Sequence, residues 1–267
     1  MTEFLRVTLV QANTEWHAPS ANRTRIAASL ASHAGRSDLI VLPETFTTGF
    51  SNDAVANAEG MDGESVAWMR AQAKTLDAAV TGSIQLRVGS KVHNRLIFAT
   101  PDGTVRHYDK RHLFRMAREQ EWYAAGRDRI VVEWRGWRIC PLVCYDLRFP
   151  VFARNRPDPR RDGALEYDLL LYVANWPAPR HEAWRTLLRA RAIENLCYVA
   201  GVNRAGIDGN GHPYLGGSLI ADYLGHAVVE CDDQPRIEET FLSLDALVEH
   251  RKKFPAHLDA DRFTLDD

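Results

Sequence analysis

Long apolar runs are missing from this sequence. Nowhere does it approach the ~18 consecutive apolar residues of a membrane span, so no membrane partner is expected. The opening residues Met1-Thr2-Glu3-Phe4-Leu5-Arg6-Val7 lack the basic and long apolar regions of a secretory signal. They read as the first strand of the fold. Cysteine is sparse, with four in 267 residues at positions 140, 144, 197 and 231. That excludes a disulfide scaffold and predicts reduced thiols in the cytoplasm. An excess of one charge is also lacking: 33 Lys and Arg face 35 Asp and Glu, for a net charge of −2. Nothing in that balance calls for nucleic acid. Low-complexity linkers and composition shifts are absent too, so residues 1–267 are expected to form a single domain.

What is there is a soluble-protein composition, 45% hydrophobic and 25% charged, arranged as alternating strand-like and helix-like segments. Phe4 to Ala12, Asp38 to Pro43, Tyr167 to Asn175 and Tyr198 to Asn203 read as buried strands. Ala79 to Leu86 and His93 to Ala99 pair around Gly89-Ser90. Ile130 to Trp134 and Trp137 to Val143 pair around Arg135-Gly136. Segments 217–222 and 226–230 close the strand set. Asn22 to Ala34, Glu64 to Leu76 and His181 to Leu196 suit helices, Gly206 to Gly211 a loop, and a terminal helix and tail follow Ser243. Asp38-Leu39-Ile40-Val41-Leu42 is echoed by Asp168-Leu169-Leu170-Leu171-Tyr172-Val173. The echo fits either two pseudo-equivalent halves or simply two buried strands.

Three polar residues stand at the ends of strand-like runs, where αβ folds bind ligands. They are Glu44, Lys110 and Cys144. Their types fit one reaction. A thiol attacks only as thiolate, a carboxylate can take its proton, and an ammonium lowers its pKa. Attack on an amide carbonyl builds an oxyanion, which a lysine and a backbone N–H can stabilise by ~3 to 4 kcal/mol per well-placed donor. The sequence alone does not bring the three together.

Longer blocks surround them: Leu42-Pro43-Glu44-Thr45-Phe46, Tyr108-Asp109-Lys110-Arg111-His112-Leu113-Phe114, Val143-Cys144-Tyr145-Asp146-Leu147-Arg148-Phe149-Pro150 and Asn175-Trp176-Pro177. In these blocks, in their order and spacing, the chain resembles the nitrilase superfamily of carbon–nitrogen hydrolases, over most of its length. The resemblance implies a four-layer αββα sandwich, commonly dimerised. It implies Glu44 as general base, Lys110 as oxyanion-stabilising cation, Cys144 as nucleophile and the Tyr145 amide as the second oxyanion donor. A further glutamate before a loop glycine is implied, and Glu119, seven residues before Gly126, fits it better than Glu121. No metal or organic cofactor is implied. The segment around Cys144 is most similar to the omega-amidase branch, which deamidates small dicarboxylate monoamides such as 2-oxoglutaramate. Deaminated-glutathione amidases share it.

A dicarboxylate monoamide needs a partner for its free carboxylate. Arg148 is one candidate, and an equally weighted alternative has it pairing structurally with Asp146 or another carboxylate. Trp176 and Phe46 are candidate pocket walls. Cys140, Cys197 and Cys231 read as buried small hydrophobes. His107 and His112 are five apart, a poor metal spacing on one helix face. Gly206, Gly209 and Gly211 lack the Lys-Ser/Thr of a phosphate loop. The rival functions are a nitrilase or N-carbamoyl hydrolase, an acyltransferase, and a binding protein that keeps the fold without turnover.

Overall fold

Two six-stranded sheets form the centre of the computed structural model, which describes residues 4–158, 161, 164–261 and 263–265. The first holds β1 (Phe4–Gln11), β2 (Leu39–Val41), β3 (Ala79–Val88), β4 (Lys91–Ala99) and β5 (Val105–Asp109), with β14 (Arg236–Ser243) added on the free edge of β1. The second holds β6 (Val132–Trp134), β7 (Trp137–Val143), β8 (Leu169–Ala174), β9 (Tyr198–Asn203), β12 (Leu219–Ala221) and β13 (Ala227–Glu230). A separate hairpin pairs β10 (Ala205–Ile207) with β11 (Pro213–Leu215). The helices are α1 (Pro19–Leu30), α2 (Glu64–Leu76), the single turn α3 (Pro150–Ala153), α4 (His181–Asn195) and α5 (Leu244–Lys253).

Side-chain alternation divides the layers. On β2, Leu39 and Val41 share one face and belong with Leu5, Val7 and Leu9 of β1 to the core cluster that also takes in the second sheet. Ile40 points outward with Val80 and Ile84, to be covered by Ile26 and Leu30 of α1 and Val66 and Met69 of α2. On the second sheet β8 is buried along its whole length, because Trp184, Leu188 and Ala192 of α4 cover its outer face. This is the four-layer αββα sandwich implied by the resemblance.

The two sheets repeat one pairing pattern. Read from β14 across to β5, neighbours are antiparallel, parallel, parallel, antiparallel and antiparallel. Read from β6 across to β13, the same series appears. The echoed segments therefore occupy equivalent strands, β2 and β8, and the two-halves reading holds.

Most segments fall where the residue pattern puts them, with three differences. The first helix begins at Pro19, since proline's fixed φ and missing N–H suit a first helical turn. The expected loop at Gly206 to Gly211 is partly the β10–β11 hairpin. The edge strand β14 was not anticipated at all.

Candidate active site

Each candidate residue sits just past the carboxyl end of a strand, and these ends share one edge of the sandwich. Glu44 follows β2 and Pro43. Lys110 follows β5, its N–H donating to the Asn94 carbonyl at 3.0 Å and its carbonyl accepting from Gly126 N–H at 2.9 Å. Cys144 follows β7 with φ +45°, the left-handed region that L-residues adopt only when their surroundings hold them there. Asp146, fully buried, does the holding. Its carboxylate accepts from the Val143 N–H at 3.0 Å, the Tyr108 hydroxyl at 2.8 Å and the His112 N–H at 3.0 Å, with His112 Nδ1 at 2.7 Å.

The side chains meet in a buried cluster. Lys110 Nζ donates to Glu44 Oε1 at 3.0 Å and to both Glu119 oxygens at 3.1 and 3.0 Å. Asn94 Nδ2 donates to Glu44 Oε1 at 2.7 Å. Glu44 Oε2 accepts from the Asn175 N–H at 2.7 Å. Glu119 Oε2 accepts from the Phe114 N–H at 2.6 Å. Cys144 Sγ lies 3.9 Å from the Asn175 carbonyl oxygen.

Charge counting explains the electrostatics. Two carboxylates flank one ammonium, so the cluster carries one excess negative charge while the thiol is neutral. Burial would lower the Lys110 pKa, but Glu119 and Glu44 outweigh it and hold the ammonium well above its ordinary value. Burial raises the Glu119 carboxyl, with Glu44 adding and Lys110 opposing. Burial and then the Glu44 charge push the Cys144 thiol well above its ordinary value, against the pull of Lys110. A free thiolate here would be a second excess anion in a low-dielectric site. A proton passed from the thiol to Glu44 would leave the total charge of the cluster constant.

The cluster opens into a cavity of about 580 Å³, within the usual ~300 to 1,000 Å³ of small-molecule sites. Glu44, Lys110 and Cys144 line it, with Phe50, Phe114, Asn175, Arg180 and Tyr214 among the walls. A smaller side pocket shares Cys144 and Phe114 and is lined also by Tyr145, Arg148 and Trp176. Tyr145 is the second residue of the 3₁₀ turn Cys144–Arg148, a position whose N–H has no acceptor within the turn. Arg148 does not pair with Asp146, whose oxygens are taken by other donors; its guanidinium lies 4.9 Å from the Trp176 ring centre.

One reading needs correction. Phe46 does not wall the cavity. Thr45 has φ +43°, which turns the chain back into the core, and Phe46 packs there fully buried against Trp68. Phe50 takes the wall position, 5.3 Å from Lys110 Nζ. Glu119 is brought to Lys110 and does not line the cavity. Asn94 gives no local signal, because it is one polar residue within an antiparallel strand. Cys140, Cys197 and Cys231 are buried, and burial pushes the Cys140 thiol up to about 12. Among the described residues, no group of three or more His, Cys, Asp or Glu is arranged to hold a metal ion, and no helix is long and apolar enough to cross a membrane.

An αββα sandwich with a cysteine, a glutamate and a lysine at one cavity floor, and a second glutamate behind the lysine, defines a class of hydrolase. Residues 6–243 match the carbon–nitrogen hydrolase family model, and the chain belongs to that family. It is 50% identical over 262 residues to omega-amidase YafV of Escherichia coli strain K12, covering 98% of each chain. It is 32% identical over 254 residues to the 2-oxoglutaramate amidase of Bacillus subtilis strain 168, covering 93% of this chain and 95% of that one. A crystal structure of a CN-hydrolase superfamily protein from Xanthomonas campestris, with an arsenic adduct in its active site, superposes with a TM-score of 0.98 at 58% identity. That match covers 99% of this chain and all of the other.

Proposed function

We propose that this protein is a cysteine-dependent amidase that releases ammonia from the ω-amide of small dicarboxylate monoamides such as 2-oxoglutaramate. The observation that carries the reading is the meeting of Cys144, Glu44 and Lys110 at the floor of one cavity, in a chain so similar to two amidases of that kind.

The cycle follows from the charge count. Glu44 takes the Cys144 proton as sulfur bonds to the amide carbon, so no free thiolate accumulates. The carbonyl oxygen becomes an oxyanion, held by Lys110 Nζ and the Tyr145 N–H. Glu44 returns the proton to the amide nitrogen, the carbon–nitrogen bond breaks and ammonia leaves a thioester on Cys144. Water then gives a proton to Glu44 and attacks the thioester, and the acid departs as the proton returns to sulfur. Glu119 keeps the Lys110 ammonium charged and placed. Asn94 and Asn175 fix the Glu44 carboxylate from two sides. Arg148 and Trp176 face the side pocket as substrate contacts. A homodimer and a cytoplasmic location complete the reading, and sedimentation at micromolar protein tests the first.

Ammonia release from 2-oxoglutaramate, with Cys144→Ala alongside, tests the proposal. Release by the wild type alone is expected. Release by both proteins removes Cys144 as nucleophile. Release by neither moves the substrate toward other amides, deaminated glutathione first.

A further inference from the structure

We propose that Arg180 determines specificity by receiving the free carboxylate of the substrate; this rests on the amidase reading above. The need comes from the charge of the floor. With Glu44, Glu119 and one ammonium, the cluster repels an anionic substrate unless a cation in the cavity offsets it. Lys110 is not that cation, since its charge is already offset by the two carboxylates and its place is beside the reacting carbonyl oxygen. Asp208, on the β10–β11 wall, adds another acid to the lining.

Arg180 has the right place and the right vacancy. It ends the short 3₁₀ turn Ala178–Arg180 between β8 and α4. It lines both the main cavity and the side pocket, and Cys144 borders both as well. Its recorded contacts are the Phe114 ring, 5.2 Å from the guanidinium carbon, and the Met116 sulfur at 3.9 Å. Among the described residues no carboxylate pairs with it, whereas Arg23, Arg95 and Arg138 each hold at least one.

Its backbone is fixed at both ends of the residue. The Arg180 N–H donates to the Pro177 carbonyl at 3.0 Å, and its carbonyl accepts from Trp176 Nε1 at 2.7 Å. The Phe114 ring supports the guanidinium, and the contact of Nη1 with the Met116 sulfur is weak enough to yield to a bidentate carboxylate. Among the described residues Arg148 also pairs with no carboxylate, but it lines only the side pocket and lies over Trp176. It assists; Arg180, common to both spaces, sets the preference.

The test compares glutaramate with pentanamide, the neutral amide of equal carbon number, as the ratio of their kcat/KM values. Arg180→Gln is expected to lower this ratio by about 10- to 100-fold, mostly through the KM for glutaramate. Arg180→Lys, which keeps the charge without the fork, is expected to recover part of it. Arg148→Gln is expected to lower it less. An unchanged ratio in Arg180→Gln, or a larger fall in Arg148→Gln, overturns the proposal. Calorimetric binding of glutarate separates the two readings, because it needs no turnover. At least tenfold weaker binding by Arg180→Gln supports the assignment even if neither amide is hydrolysed, an outcome that would sink the amidase reading alone. Equal glutarate affinity in the two proteins overturns it.

Discussion

Asp38 and Asp168 make the same set of bonds in two different sheets. Each stands just before the middle parallel strand of its half. Asp38 accepts from the Arg6 N–H at 2.8 Å and from Arg6 Nη2 at 2.9 Å. Asp168 accepts from the Arg138 N–H at 3.2 Å and from Arg138 Nη2 at 2.6 Å. Each also donates its own N–H to that arginine's carbonyl at 2.8 Å. The clip ties β2 to β1 in one half and β8 to β7 in the other, at the strand ends remote from the cavity.

The two clips differ in their second arginine and in burial, which gives a prediction about stability. Arg6 is 43% exposed and Arg135, the second partner of Asp38, 27%. Arg138 and Arg251, the partners of Asp168, are 14% and 10% exposed. Asp38→Asn is expected to cost about 1–2 kcal/mol at neutral pH after discounting for screening. Asp168→Asn should cost about 3 kcal/mol. Burial alone would raise the Asp38 carboxyl, but the Arg6 hydrogen bonds and the Arg135 charge hold it below its ordinary value. A depressed carboxyl contributes stability above its unfolded pKa and loses it as pH falls through the folded one. The Asp38→Asn deficit should therefore shrink as pH drops below about 4. Urea midpoints at pH 7 and pH 3.5 check this; a deficit independent of pH would mean that the ion pair is not its cause.

Why some of this was legible in sequence, and some not, follows from what each segment buries. β8 is buried on both faces and shows as a continuous apolar run. Glu64–Leu76 shows as a helix by its spacing. β14 reads Arg-Ile-Glu-Glu-Thr-Phe-Leu-Ser and is mostly half-exposed; its partner β1 lies at the other end of the chain, and no local pattern records that pairing. Glu44 and Cys144 were legible as site candidates because each follows an apolar run, whereas Lys110 follows the polar edge strand β5 and stood out by the block around it. Phe46 misled because nearness to Glu44 in sequence says nothing about direction after a left-handed Thr45. Arg180 was overlooked because its signal is a missing ion-pair partner, which only three dimensions reveal.

The raised Cys144 thiol gives a prediction in which two readouts move oppositely. Because the thiol is protonated at neutral pH, its alkylation by iodoacetamide should rise about tenfold per pH unit from 6 to 9, without a plateau. Glu44→Gln removes a charge that raises the thiol and leaves Lys110 held by Glu119. Alkylation at pH 7 should then quicken while kcat falls by about 10²- to 10⁴-fold. Slower alkylation in Glu44→Gln would mean that Glu44 already holds the proton in the resting enzyme.

Glu119 touches Lys110 and the Phe114 N–H, not the cavity, so its variants should separate placement from folding. Glu119→Gln keeps an acceptor for Phe114 but turns an amide toward the ammonium. It should lower kcat by at least tenfold with KM little changed, and cost little stability. Glu119→Ala leaves the buried Phe114 N–H without its acceptor and should cost about 1–3 kcal/mol in addition. Steady-state kinetics and urea unfolding on both variants check this. A KM effect equal to the kcat effect would place Glu119 in substrate binding instead.

Gly126 sets the height of Lys110 by close approach of two backbones. Its N–H donates to the Lys110 carbonyl at 2.9 Å, and a Cβ at this position would lie 2.0 Å from the Asp109 carbonyl oxygen. Backbone cannot yield as a flexible side chain can. Asp109 is further anchored by Arg95, whose Nε and Nη2 donate to it at 2.6 and 2.7 Å. Gly126→Ala must therefore push apart the segment that carries Lys110 and the loop that leads back from Glu119. Overpacking of this kind costs about 1–3 kcal/mol, and a displacement of about 1 Å at a catalytic group costs on the order of 10²-fold in rate. The expected result is a folded protein with a lower urea midpoint and a kcat reduced by at least tenfold. Wild-type kcat with the lower midpoint would show that the loop can shift without moving the ammonium, and would confine Gly126 to packing.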